Sequence, residues 1–262
     1  MSTARVLAQS RTLPQRVVPA VYSVGSENLA LISCAALFQG LTDWECQEVA
    51  YYAGKRIFAR NQALFVQGEP VRELILLKSG GVKHTQVASN GNEVLLRFCT
   101  AGDFANVFTG CASFTHSCSA RATRPTVALV WDFARIHRFI EQCPLMRRNI
   151  CRILAAQLQE MEDRFRELAT ENVSRRLALV LSRLAVRIGR ATSEGIQISI
   201  TREELAQMTG STIFTVSRLL ATWSAQGPLL SRRESVVVPD PSRMEFDRTR
   251  VVSMRCSSRP PN

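Results

Sequence analysis

An α+β fold is predicted in three stretches: an antiparallel β-sandwich or jelly roll, one long helix, and a small helical unit closed by a β-hairpin. Three observations predict it. Residues 56–131 break into short apolar runs separated by turn residues. Residues 151–168 carry apolar side chains at alternating spacings of three and four. Residues 201–238 hold two short helical patterns on either side of Gly210, then a strand–turn–strand pattern.

The 262 residues, 46% of them hydrophobic, suit one large or two moderate globular domains. Lys and Arg number 33 against 22 Asp and Glu, a net +11 that favours an anionic partner, nucleic acid or membrane surface. The surplus is uneven. It is +3 over residues 1–26, 16 basic against 14 acidic over 27–169, and 14 against 8 over 170–262. A near-neutral block followed by a basic third fits a sensing or scaffolding domain joined to a polyanion-binding domain.

Residues 1–27, with Arg5, Arg11 and Arg16, are expected to form a disordered basic tail. Leu29 to Phe38, ten residues interrupted by Ser33, is the longest apolar run. It is too short to span a bilayer and is expected to be a buried helix. Strands are expected around Ile57-Phe58, Leu64 to Val66, Leu74 to Leu77, Val82 to Val87, Val94 to Phe98 and Thr126 to Trp131. Gln67-Gly68-Glu69-Pro70, Gly80-Gly81, Asn90-Gly91 and Ala101-Gly102-Asp103 separate them, and Asn-Gly between apolar strands is a strong hairpin signal. Such spacing without intervening helices means a sandwich or jelly roll.

The period then changes. Asp132 can cap a short helix through Glu141, and Pro144 suits the first turn of the next. Cys151, Leu154, Leu158, Met161, Phe165 and Leu168 form a narrow seam with charged residues on the other faces, which favours a partner helix, most economically a second copy of the chain. A further helix is expected from Asn172 to Gly189, a turn over 189–195 and a strand over 196–200.

The eight cysteines form no C-x-x-C pair and no cysteine couple lies beside a histidine couple, so zinc and c-type haem spacings are absent. They are too dilute for a disulfide scaffold and are expected to be small buried hydrophobes in a reducing cytoplasm. No metal site, nucleophile–base–acid set or phosphate-cradling glycine loop stands out, so an enzyme is not expected.

Thr201-Arg202-Glu203-Glu204 reads as a capping box. Leu205 and Met208 face inward, Ala206 permits close helix approach, and Gly210 suits a left-handed turn. Thr212 can cap a second helix whose buried stripe is Val216, Leu219 and Leu220. This is the helix-turn-helix template. Thr212, Phe214, Thr215, Ser217 and Arg218 are the candidate base contacts on the second helix. Leu229 to Val238 reads as a hairpin wing; Thr201, Arg202, Ser211 and the wing arginines Arg232 and Arg233 are the candidate phosphate contacts.

These residues resemble the Crp/Fnr family of one-component bacterial transcription regulators over about residues 37–245. Leu37 to Leu41 looks like the family's entry helix, Leu64 to Glu69 and Leu74 to Gly80 its β-roll hairpins, and Ala101-Gly102-Asp103-Phe104 the turn before its effector pocket. Leu145-Met146-Arg147 starts what resembles the dimerisation helix, and Gly210 to Leu220 resembles the recognition helix. The resemblance implies a cyclic-nucleotide-binding-like β-roll sensor over 28–143, a dimerisation helix over 144–170, a winged helix-turn-helix over 171–245 and a flexible tail over 246–262. It also implies an effector pocket at Asn106, Val107, His116, Ser117 and Glu160.

The departures matter too. Asn106-Val107 replaces the Gly-Glu of cyclic-nucleotide binders, and His116-Ser117 replaces their Arg-Ser or Arg-Thr pair. A neutral imidazole is no substitute for a fork-shaped cation at a phosphate, which argues against cyclic AMP. Phe214 stands where the family commonly has a base-reading Glu. Cys34 and Cys46 are too far apart for the family's iron–sulfur cluster. No cofactor is expected, with haem on His84, His116 or His137 as the alternative that other branches of the family suggest.

The expectation is a cytoplasmic, homodimeric, sequence-specific regulator of a palindromic duplex operator, controlled by an unknown small-molecule effector. It has no membrane partner, and RNA polymerase would be a further partner if it activates. The rivals are a haem- or thiol-based gas or redox sensor of the same fold, and a ligand-binding β-barrel with a generic nucleic-acid-docking domain.

Overall fold

The computed structural model describes residues 26–106, 115–227 and 229–239. Two short helices, α1 (Ser26–Cys34) and α2 (Asp43–Tyr51), come first. The run Leu29–Phe38 is not one helix: α1 ends at Cys34, and Ala35, Leu37 and Phe38 enter the core from the turn that follows. Since α1 begins at Ser26, residues 26 and 27 are helix rather than tail. The rest of that expected tail, and the one expected over 246–262, lie outside the described residues. A reciprocal cap starts α2. The Thr42 hydroxyl accepts from the Glu45 N–H (3.3 Å), and the Glu45 carboxylate accepts from the Thr42 N–H (2.7 Å).

Seven strands follow: β1 (Gly54–Phe58), β2 (Ala63–Phe65), β3 (Glu73–Ser79), β4 (Gly81–Val87), β5 (Glu93–Thr100), β6 (Ser119–Ala122) and β7 (Thr126–Asp132). They form two antiparallel sheets, ordered β1-β7-β3 and β2-β6-β4-β5. Phe58, Leu77, Val82, Ala120 and Ala128 fill the space between them. The other face of β3 and β7 puts Leu74, Leu76, Leu129 and Trp131 against the helices. Both faces are therefore buried, which is why Leu74 to Leu77 and Val127 to Trp131 read as continuous apolar runs. The Trp131 indole N–H donates to the Val49 carbonyl (2.7 Å), so α2 is pinned to the sheet.

The β4–β5 hairpin contains a bulge. His84 pairs with Arg97 and Thr85 with Leu95, so Leu96 is skipped. A skipped residue resets side-chain alternation. Leu95 and Phe98, three apart, consequently leave the sandwich on the same side.

Helix α3 (Phe133–Gln142) is capped by Asp132, which accepts from the Arg135 N–H (3.1 Å). Pro144 opens α4 (Pro144–Thr170), a helix about 40 Å long at 1.5 Å per residue. Asn172 caps α5 (Val173–Arg187), accepting from the Arg175 N–H (2.9 Å). The expected turn at 189–195 is instead part of a hairpin, β8 (Arg190–Thr192) and β9 (Gly195–Ser199). The hairpin reverses tightly because Gly195 takes φ +128, a value side chains disfavour. Helices α6 (Arg202–Thr209) and α7 (Ile213–Gln226) and strands β10 (Leu230–Ser231) and β11 (Ser235–Val238) complete the chain, with sheet order β10-β11-β9-β8. Leu181, Ile198, Leu205, Val216, Leu220 and Val236 form its core, and Leu95 and Phe98 of β5 plug into it.

Candidate nucleic-acid interface and sensor cavity

The helix pair is built by its caps. The Thr201 hydroxyl accepts from the Glu204 N–H (3.1 Å) and donates to the Glu204 carboxylate (3.1 Å). Gly210 ends α6 at φ +57, ψ 45, and the Ser211 N–H returns to the Ala206 carbonyl (3.0 Å). A Cβ on Gly210 would also come within 3.2 Å of Leu168, so the turn nests against the end of α4. The Thr212 hydroxyl accepts from the Thr215 N–H (3.2 Å) and starts α7. Burying Val216 and Leu220 turns the opposite face of α7 outward. There Phe214 is 83% exposed, and Arg218 is exposed with no side-chain partner among the described residues. Ser211, Thr215 and Ser217 are half-buried beside them.

Of the candidate phosphate contacts, Arg233 is exposed on the wing turn and has no partner among the described residues. Arg232 is held by Glu194 (2.6 Å), and Arg202 reaches Ser231 (3.5 Å). Thr201 and Thr212 differ from their neighbours: their hydroxyls are engaged as caps, so their first task is to shape the helices.

The α4 seam is uncovered on the single chain. Exposure rises from 36% at Leu154 to 74% at Phe165, with Cys151, Leu158, Met161 and Leu168 exposed along the same stripe. Three further links, none legible in the sequence, tie the winged unit to the rest of the chain, two of them to the sandwich and the third to α4. Lys83 grips Glu204 (2.8 Å), Arg187 donates to the Phe98 carbonyl (2.8 Å) and pairs with Asp103 (3.1 Å), and Arg183 binds Glu167 through both oxygens (2.6 and 2.8 Å). Burial alone would raise Glu204, but Lys83 and the Thr201 N–H hold its carboxyl below the usual range. Arg164 donates to the Leu96 carbonyl that the bulge leaves free of β4, and also to Glu160 (2.6 Å).

A cavity of about 200 Å³ lies where the sandwich, α4 and α5 meet. Its wall includes Leu74, Arg97, Ile153, Leu154, Glu160 and Arg187. The expected effector set is split by this geometry. Asn106 and Glu160 line the cavity, but the Asn106 amide is tied to backbone, accepting from the Ile75 N–H (3.0 Å) and donating to the Glu73 carbonyl (2.6 Å). His116 and Ser117 stand apart from it; His116 stacks on Phe65 with ring centroids 3.8 Å apart. Val107 lies outside the described residues.

Neither described cavity is lined by a histidine. His84 is buried, with Nε2 on the Ala105 carbonyl and Nδ1 3.7 Å from the Cys99 sulfur. Burial and then nearby Arg97 push its pKa down to about 4, so it is neutral at pH 7. His137 sits beside Glu141 (3.5 Å) on α3. Among the described residues no group of three His, Cys, Asp or Glu side chains can hold a metal ion, and no helix is long and apolar enough to cross a membrane.

Two family models match the chain: the cyclic nucleotide-binding domain over residues 55–143 and the Crp-like helix-turn-helix domain over 175–246. Among curated relatives, the chain is 24% identical to the electron transport regulator A of Shewanella oneidensis, covering 71% of this chain and 75% of that one. It is 26% identical to the CRP-like cAMP-activated global transcriptional regulator of Mycobacterium tuberculosis, covering 82% and 96%. Among solved structures it shares the fold of the c-di-GMP responsive global regulator CLP of Xanthomonas campestris, with TM-score 0.66 and 20% identity over 76% of this chain and 100% of that one.

Proposed function

Because the chain belongs to the Crp/Fnr family of DNA-binding transcription regulators, we propose that it reads a palindromic operator as a homodimer through Arg218 and its neighbours on α7. The observation that carries this reading is the outward face of α7, where Arg218 and Phe214 are left free beside a wing that offers Arg233. An arginine there can donate two hydrogen bonds to guanine, and a phenylalanine can meet a thymine methyl. Thr215 and Ser217 complete the base contacts, Thr212 sets their register, and Arg202, Ser211 and Arg232 join Arg233 on phosphates, with Thr201 at the α6 N-terminus.

Two copies pair along the exposed α4 stripe, which spaces the two α7 helices for successive major grooves, about 34 Å apart. The regulator acts by binding and not by catalysis, a reading supported by relatives that are themselves regulators. The free cysteines among the described residues suit the reducing cytoplasm. If it activates, RNA polymerase is a further partner. The effector is not cyclic AMP, since His116-Ser117 offers no permanent cation and stands outside the cavity.

Fluorescence anisotropy tests the reading. Affinity for a selected palindromic duplex should exceed that for random duplex by more than tenfold at moderate salt, and a smaller ratio overturns it. Sedimentation of Leu158→Glu should show monomer; an unchanged dimer removes the seam.

A further inference from the structure

The cavity at the junction has one cation without a counter-charge. Four charged side chains line it: Arg97, Arg187, Asp103 and Glu160. Asp103 is taken by Arg187 (3.1 Å) and Glu160 by Arg164 (2.6 Å). Arg97, half-buried on β5, has neither an ion pair nor a side-chain hydrogen bond among the described residues. Its charge is felt nearby, where it disfavours protonation of His84. Much of the remaining wall is apolar, with Leu74, Phe104, Ile150, Ile153 and Leu154. The cavity, about 200 Å³, is below the roughly 300–1,000 Å³ of sites for drug-sized ligands. A single fixed cation, an apolar wall and a small volume select a compact organic acid: one carboxylate on a single ring or branched chain.

We propose that this cavity is the effector site and that it takes a small apolar monocarboxylate, with Arg97 as its counter-ion. This rests on the reading of the molecule as an effector-controlled regulator. The guanidinium fork meets a carboxylate through two parallel N–H···O bonds, which a neutral isostere does not accept equally. Arg187 makes the site regulatory. It belongs to α5 of the winged unit, yet lines the same cavity and holds the Phe98 carbonyl (2.8 Å) of the sandwich. A ligand that touches both Arg97 and Arg187 binds only while the two units are docked, so it shifts the population towards the docked arrangement.

Isothermal titration of the full chain with benzoate, 3-methylbutanoate and the neutral isostere benzamide tests this. At least one carboxylate should bind at least tenfold tighter than benzamide. Arg97→Gln should lose that preference, Arg97→Lys should keep part of it, and Arg187→Gln should weaken carboxylate binding several-fold. Equal binding of benzoate and benzamide to the unmodified chain, no binding of either carboxylate, or full carboxylate affinity in a folded Arg97→Gln chain overturns the proposal. Operator binding measured on the same samples separates the two readings. Operator binding without carboxylate binding sinks the effector assignment alone, and carboxylate binding without operator preference sinks only the DNA reading.

Discussion

Three buried polar side chains of the sandwich and two outward arginines of the winged unit make opposite uses of polarity. In the sandwich, His84, Asn106 and Thr126 are buried and bonded to backbone: His84 to the Ala105 carbonyl, Asn106 across β3, and Thr126 to Gly81 and Arg124. In the winged unit the core around Leu181, Leu205 and Val216 is aliphatic, and Arg218 and Arg233 face outward without partners among the described residues. His84, Asn106 and Thr126 hold the fold, whereas Arg218 and Arg233 are available to a ligand. Polarity at a suggestive position therefore says little about binding until its hydrogen bonds have been counted.

Four experiments break or sharpen that contrast. The largest effect belongs to Asn106→Ala. It strands the Ile75 N–H and the Glu73 carbonyl, each at a cost of about 1–3 kcal/mol when buried and unpaired. Urea unfolding should show the loss, and an unchanged midpoint would mean the amide is dispensable.

Acid comes next. The folded pKa of His84 is about 4 against 6.5 for the free side chain, so between those values the unfolded chain binds the extra proton. Its contribution is complete above pH 6.5 and is lost as pH falls towards 4, by roughly 3 kcal/mol in all. Urea midpoints of the unmodified chain and His84→Gln, taken at pH 7 and pH 4.5, should converge at the lower pH. A constant gap would count against a buried neutral imidazole.

Arg218→Ala should move the opposite quantity. Stability should stay within about 0.5 kcal/mol, as for an exposed residue. Discrimination between operator and random duplex should fall by about 1–3 kcal/mol. Arg233→Ala should instead weaken all sequences alike and reduce the salt slope by about 1. Exchange of these two phenotypes would reassign base reading to the wing.

The smallest effect is Lys83→Ala. Its pair with Glu204 is partly exposed, so unfolding should shift by less than about 1 kcal/mol. Amide exchange should nonetheless rise at the first turn of α6, where Glu204 caps. Unchanged protection there would remove Lys83 from the joint.

Local features were legible in the sequence, and distant ones were not. The strands other than β6 and β8, the Gly80-Gly81 and Asn90-Gly91 turns, the Asp132, Thr201 and Thr212 caps and the left-handed Gly210 all rest on neighbours within a few residues. The α2 cap was equally available, since Thr42-Asp43-Trp44-Glu45 carries the same box as Thr201 to Glu204. Where α1 stops was not, because the next residues stay apolar after the backbone turns. In the candidate site, the outward face of α7 followed from helical periodicity. The cavity did not: Arg97 and Arg187 lie ninety positions apart and meet only because two units dock. His116 and Ser117 do not line that cavity, since a matching position along the chain need not face the same space.

The skipped residue at Leu96 has a consequence for how the two halves hold each other. A bulge is a dislocation in a sheet: on one side of it the pleat runs one step out of phase with the other. Leu95 and Phe98 lie on opposite sides of that fault, and only with it in place do both plugs seat together in the neighbouring core. Slide β5 into straight pairing and Leu95 turns away while Phe98 stays. The grip between the halves is thus set by counting residues and changes in whole steps, the behaviour of a ratchet and not of a spring.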